Sequence, residues 1–294
     1  MFSMPSTNTL EVPNNVDMIC KYKLTLTPDA RHDADVPNGD GYYLRNALID
    51  GAGVSLPTLT TSMLCDGPFR AGDAPHTKKL LGDEEYALYC AVQTRSEIEA
   101  LDALFKAYQT GAKSFSIEGV SFTLDHVDRD CTTLGGLQQR AASLATDRPN
   151  IRLWFKTPTC VLHPNSSVTE MFPHRTSVFT DLAAKWNAAQ VTDDDAEPID
   201  FEDGELGQFI YEKPWADTYR TFSVLTRIQP RDDRPDKKFF RQGYSTTCQY
   251  EFRNASDDLM TAVITLALYA EYAGVGTDTG YGCGTTNTEI IDHD

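Results

Sequence analysis

Gly274-Val275-Gly276-Thr277-Asp278-Thr279-Gly280-Tyr281-Gly282-Cys283-Gly284 places five glycines in eleven residues, between an apolar helix and a strand-like tail, Thr285 to Ile291. The helix is read from Asp257 to Tyr272. Ser256 can cap it, Asp257 and Asp258 suit its positive end, and Leu259, Val263, Leu266 and Ala270 form an apolar stripe. Glycine tolerates positive φ and exposes bare backbone, so the loop can be a nest of amide donors for phosphate or a tight crossing over another element. It does not follow a strand and open a helix, as a dinucleotide fingerprint does, and it lacks the Gly-Lys-Ser/Thr of a P-loop.

Upstream of the loop, Ile151, Leu153 and Phe155 alternate with Arg152, Trp154 and Lys156, the period of a half-buried strand, which Pro158 ends. A helix is expected over 178–189 and strands over 209–211, 221–229 and 244–252. The stretch 192–205 holds eight acidic residues and reads as a solvated loop. The first half opens the same way. Tyr22, Leu24 and Leu26 alternate with Lys21, Lys23 and Thr25, a short helix is expected over 42–49, and a strand over 87–94. Ser96-Glu97-Ile98-Glu99 reads as a capping box opening a helix through Tyr108, and a hairpin over 115–127 turns near Glu118-Gly119. His126, in phase with Val120, Phe122 and Leu124, reads as a structural residue. The small and polar residues from Cys131 to Asn150 mark a boundary. The reading is α+β, with a ferredoxin-like unit in 1–148 and a second unit in 149–294.

Composition narrows the function. No apolar run approaches the roughly 20 residues that cross a bilayer, and Met1 to Asn15 lacks the pattern of a secretory signal, so no membrane partner and a cytoplasmic home are expected. Seven scattered cysteines read as reduced thiols, and six scattered histidines form no ligand cluster, so neither metal nor cofactor is expected. A net charge of -17 opposes nucleic-acid binding through bulk attraction. A salt-rich, halophilic cytoplasm would reconcile the two, because at molar ionic strength the Debye length is about 3 Å.

Gly274, Gly276, Gly282 and Gly284, following Leu266-Ala267-Leu268-Tyr269-Ala270-Glu271-Tyr272-Ala273, resemble the C-terminal Gly-x-Gly, five residues, Gly-x-Gly motif of the RAMP-superfamily endoribonucleases that process CRISPR repeat RNA. Phe155-Lys156-Thr157-Pro158-Thr159 and the stretch from Gly243-Tyr244 to Tyr250-Glu251-Phe252 resemble two strands of that family's C-terminal domain. The resemblance implies two tandem ferredoxin-like (RRM-like, RAMP) domains that bind repeat RNA, as precursor or mature guide, with other subunits of a CRISPR surveillance complex as further partners. It implies metal-free cleavage to a 2',3'-cyclic phosphate, using a general base, a general acid and a cation. A catalytically inactive RNA-binding scaffold subunit is the alternative.

Leu64-Cys65-Asp66-Gly67-Pro68-Phe69 resembles a segment in which many members carry Leu-His before Pro-Phe, so Cys65 stands where histidine is expected. A thiol of reference pKa about 8.5 is no direct substitute for an imidazole of about 6.5. His76 with Lys78, or His32, then supplies the proton carrier and cation, and Tyr43 a hydrogen bond. For RNA contact the candidates are Gly274, Gly276, Gly282 and Gly284, the shared face of Arg152, Trp154 and Lys156, and the basic run of Arg234, Lys237, Lys238 and Arg241.

Overall fold

The computed structural model describes residues 18–29, 33–74, 76–163, 166, 168–190, 196–228 and 237–292, without the side chains of Gln190 and Arg227. In the first half, β1 (Met18–Pro28), β2 (Ala34–Pro37), α1 (Gly41–Ala52), β3 (Thr60–Thr61), β4 (Phe69–Ala71), β5 (Thr77–Leu80), β6 (Tyr86–Val92), α2 (Arg95–Gln109), β7 (Phe115–Ile117), β8 (Val120–Thr133) and α3 (Leu134–Ala145) follow in order. Strands β3, β6, β1, β8 and β7 form one antiparallel sheet, and β2, β5 and β4 a small separate one. The second half contains β9 (Asn150–Thr159), β10 (Val161–Leu162), β11 (Thr169–Glu170), α4 (Arg175–Gln190), α5 (Glu205–Phe209), β12 (Ile210–Pro214), β13 (Arg220–Ile228), β14 (Lys238–Phe252), α6 (Asp257–Ala273) and β15 (Thr286–Ile291). Its main sheet runs β12, β14, β9, β15, with β13 folded onto β14.

Each half therefore builds β-α-β twice and orders its strands second, third, first, fourth, the ferredoxin-like arrangement. The opening strand is central in both sheets, which is why the two alternating runs read so clearly. Tyr22, Leu24 and Leu26 of β1, and Ile151, Leu153 and Phe155 of β9, are buried. Of their alternates, Lys23 and Trp154 are exposed, while Lys21 reaches Glu271 and Tyr272 of α6 across the second face of the first sheet.

Helix α6 is buried around most of its circumference, not along one stripe. Its second apolar side meets α3, whose Leu134, Leu137 and Ala141 share a core with α6 and with Ile19 and Ala91 of the first sheet. The stretch read as a small-residue boundary is thus largely this helix, capped by the Thr133 hydroxyl, which accepts from Gly136 N. Its small residues let it pack closely.

Four other expectations are corrected. The cap of α2 is Thr94, which accepts from Glu97 N and donates to Glu97 Oε2 at 2.7 Å, so the box lies two residues earlier than read. A register shift of β8 against β1 follows Leu124, and it turns His126 outward to pair with Asp128 at 2.9 Å. Cys20 and Cys131, directly opposite on β1 and β8, form a disulfide, so these two are not reduced thiols. The acidic stretch is described from residue 196, where Ala196 and Ile199 are buried and Glu197 O accepts from Trp186 Nε1 at 2.9 Å, so this part is pinned to α4 and not merely solvated.

Trp186, fully buried and edge-on to Tyr269 at 5.3 Å, ties α4 to α6. Trp186→Ala should lower unfolding stability by about 3–5 kcal/mol, read as a reduced urea midpoint by circular dichroism.

Candidate functional site

A cleft of about 770 Å³ opens between the two halves, lined on one side by Tyr43, Cys65, Asp66, Phe69, His76 and Lys78 and on the other by Lys156, Phe222, Lys238 and Phe240. Local folding explains the first side. Strand β5 runs antiparallel to β2, with Val36 opposite Lys78, so the small sheet carries Lys78 beside the start of α1, and the turn before β5 sets His76 at the rim with φ of 62°. His76 is exposed. His32 lies outside the described residues.

Lys78 is held from several sides. Its Nζ lies 2.9 Å from Asp40 Oδ2, donates to Leu64 O at 3.1 Å and sits 4.4 Å from the centre of the Phe69 ring. Asp40 is wholly buried, and burial pushes its carboxyl up against the opposing pull of Lys78. Tyr43 is raised by burial and by the nearby charge of Glu118, which keeps its hydroxyl protonated as a donor. Asp40 was not singled out from sequence, although glycines on both sides of it were a visible signal.

Lys156 crosses from β9 to the first half, pairing with Asp66 at 2.6 Å and donating to Tyr89 Oη at 2.9 Å. Burial alone would raise the Asp66 carboxyl, but Lys156 and the Tyr89 hydroxyl hold it below the usual carboxylate range. Three exposed aromatic rings, Phe69, Phe222 and Phe240, border these cations. Sequence reading missed them because their exposure follows from the β13–β14 pairing and the small sheet. Among the described residues, no group of three or more His, Cys, Asp or Glu is placed to hold a metal ion.

Arg152 and Trp154 share the face of β9 that carries Lys156. Arg152 is spent on Glu289 at 2.7 Å and lies over the Trp215 ring, while Trp154 is 39% exposed. The basic run is divided. Lys238 lines the cleft, Lys237 stacks on Phe239, Arg241 pairs with Asp278 at 3.0 Å, and Arg234 lies outside the described residues.

Of the two readings of the glycine loop, the structure favours the tight crossing, since many of its amides donate within the chain. Val275 N donates to Gly284 O, Gly276 N to Asp181 Oδ2, Thr277 N to Cys160 O, Tyr281 N and Cys283 N to Asp278 O, and Gly284 N to Pro158 O. These donors are committed within the chain. Gly274, Gly276, Gly282 and Gly284 all have positive φ, between 65° and 95°. A Cβ on Gly276 would lie 2.7 Å from the Cys160 carbonyl, and one on Gly284 2.0 Å from Val275 O. The loop is a close crossing, packed where the two halves meet.

Cys65 lines the same cleft, but its thiol donates to Met63 O at 3.1 Å and is pushed up to about 12, first by burial and further by the charge of Asp66. A group raised this far stays protonated throughout the neutral range. Iodoacetamide at pH 8 should leave Cys65 unmodified in the native protein and alkylate it in urea, as read by peptide mass.

Residues 153–286 match the family model of CRISPR-associated endoribonuclease Cas6. No curated protein matches the chain in sequence. Among solved structures, the fold is similar to that of Thermus thermophilus Cas6 in a product complex, with TM-score 0.63, 16% identity, and coverage of 93% of this chain and all of that one. A Cas6-related protein of Pyrococcus furiosus gives 0.58 at 12% identity over 94% of this chain and all of its own. A RAMP protein that binds different RNA substrates gives 0.56 at 11% identity over 93% of this chain and all of its own. The second half is thus similar in sequence to Cas6 over residues 153–286, and the fold along the whole chain is similar to that of Cas6 and RAMP proteins.

Proposed function

We propose that this protein is a CRISPR precursor-RNA processing endoribonuclease that binds repeat RNA across the cleft and cuts it without metal. The observation that carries this reading is the convergence of His76, Tyr43 and Lys78 from the first half with Lys156 and Lys238 from the second around one cavity. The family match supports RNA processing, and the fold is shared with proteins solved in product and substrate-mimic complexes. In this reading 1–148 supplies the reacting groups and 149–294 most of the RNA contacts.

The chemistry follows from the groups present. His76, exposed at the rim, exchanges protons with the attacking 2'-hydroxyl or the leaving 5'-oxygen. Lys78, fixed by Asp40, stabilises the extra negative charge on phosphorus, and Tyr43 donates a hydrogen bond to a phosphate oxygen. The products are a 2',3'-cyclic phosphate and a 5'-hydroxyl. Lys156, Lys238 and Trp154 bind backbone and bases, and the glycine loop contributes by shape. The scaffold alternative is favoured by one observation, the protonated Cys65 at the position where the resemblance implies that many members carry histidine.

Cleavage of the host's repeat RNA should survive excess EDTA, and a 2'-deoxy substitution before the cut should abolish it; dependence on added metal would overturn the mechanism. His76→Ala should lower the single-turnover rate constant on the order of a hundredfold while leaving Kd nearly unchanged. Binding without cleavage by the parent protein would establish the scaffold reading.

A further inference from the structure

The residues leading into α1, Gly39-Asp40-Gly41, are gripped by two elements of the second half. A Cβ on Gly39 would lie 2.9 Å from both the Cβ and the carbonyl oxygen of Leu225 on β13. A Cβ on Gly41 would lie 2.4 Å from Gly282 Cα and 2.5 Å from Tyr281 O. Gly41 does not have a positive φ, so backbone conformation does not demand glycine there; the approach of the loop does. The seat is widened by Tyr42, stacked on Tyr281 at 6.2 Å, and by Arg45, 5.1 Å over the same ring.

The loop under α1 is itself anchored from behind. Lys185 donates to Gly274 O at 2.9 Å and Gly276 O at 2.6 Å, and Asp181 accepts from Gly276 N at 2.7 Å. Between the two gripped glycines sits Asp40, the buried carboxylate that holds Lys78 at 2.9 Å, and Tyr43 follows on the first turn of α1. A displacement of this tripeptide would therefore move both groups.

We propose that Gly39-Asp40-Gly41 is a positioning element through which the second ferredoxin-like unit sets Lys78 and Tyr43 in the cleft, and that the glycine motif serves the reaction by seating α1. The assignment to the reaction rests on the cleavage activity proposed above; the seating itself does not. Neither glycine touches RNA in this scheme. They act through Asp40, and Asp40 acts through Lys78.

Gly41→Ala in the full chain is the sharpest test, because alanine is the better helix former and the close contact with Tyr281 and Gly282 opposes it. Two measurements are needed: single-turnover cleavage with Kd for the host's repeat RNA, and hydrogen exchange by mass spectrometry over 40–46 and 278–284. The rate constant should fall on the order of tenfold to a hundredfold with Kd unchanged within about twofold, and both segments should exchange faster. Asp40→Asn should reproduce the rate loss without faster exchange in 278–284, and Gly207→Ala, where a Cβ meets only Arg175 at 3.9 Å, should behave like the parent. If Gly41→Ala does not fold, Tyr281→Leu removes the ring under Tyr42 and Arg45, and the same two readouts apply. Unchanged rate and exchange would overturn the proposal, as would weakened RNA affinity at an unchanged rate, which would make the seat an RNA-binding surface. If the parent does not cleave, the proposed activity falls, and exchange alone decides the seating.

Discussion

Gly41 of α1 and Gly282 of the C-terminal loop meet backbone to backbone, close enough that a Cβ on either would overlap the other's main chain. No side chain mediates this contact, so it has little room to adjust, and what α1 carries takes its position from the second unit. The loop is held by Lys185 and Asp181 of α4 and by the carbonyls of Pro158 and Cys160 at the end of β9. A cleft assembled across the two units is thereby referenced to the core of one of them. Helix α3 adds a broader version of the same constraint, since its apolar face completes the covering of α6.

Charge is arranged locally. The chain as a whole is strongly acidic, but several cations at or near the cleft are each fixed by a carboxylate: Lys78 by Asp40, Lys156 by Asp66, Arg241 by Asp278. Such pairs orient a charge while reducing its reach, which suits recognition at contact distance better than long-range attraction. The exposed Phe69, Phe222 and Phe240 add flat surface beside these charges, where an unpaired base can stack independently of salt.

Proton inventory follows the same logic of burial. Cys65 and Tyr43 are both raised, so they remain protonated and keep a hydrogen to donate in the neutral range. Asp40 is raised by burial yet faces a lysine. His76, at the rim of the cleft, is exposed.

The sequence by itself determined the two central strands, the long C-terminal helix and the family resemblance, because each is written in local periodicity or fixed glycine spacing. Tyr22-Leu24-Leu26 and Ile151-Leu153-Phe155 declare their buried faces within a few residues. It also raised His76, His32, Tyr43 and Lys78 as candidates. Only the tertiary structure brought Tyr43, His76 and Lys78 to one cleft. The α3 helix hid behind small residues whose value is close packing, His126 was turned out by a register shift, and Cys20 met Cys131 across 111 residues. The glycine motif was legible as a loop but not as a seat, because the element it supports begins at Gly41, more than two hundred positions earlier, and proximity of that kind exists only after both sheets have formed.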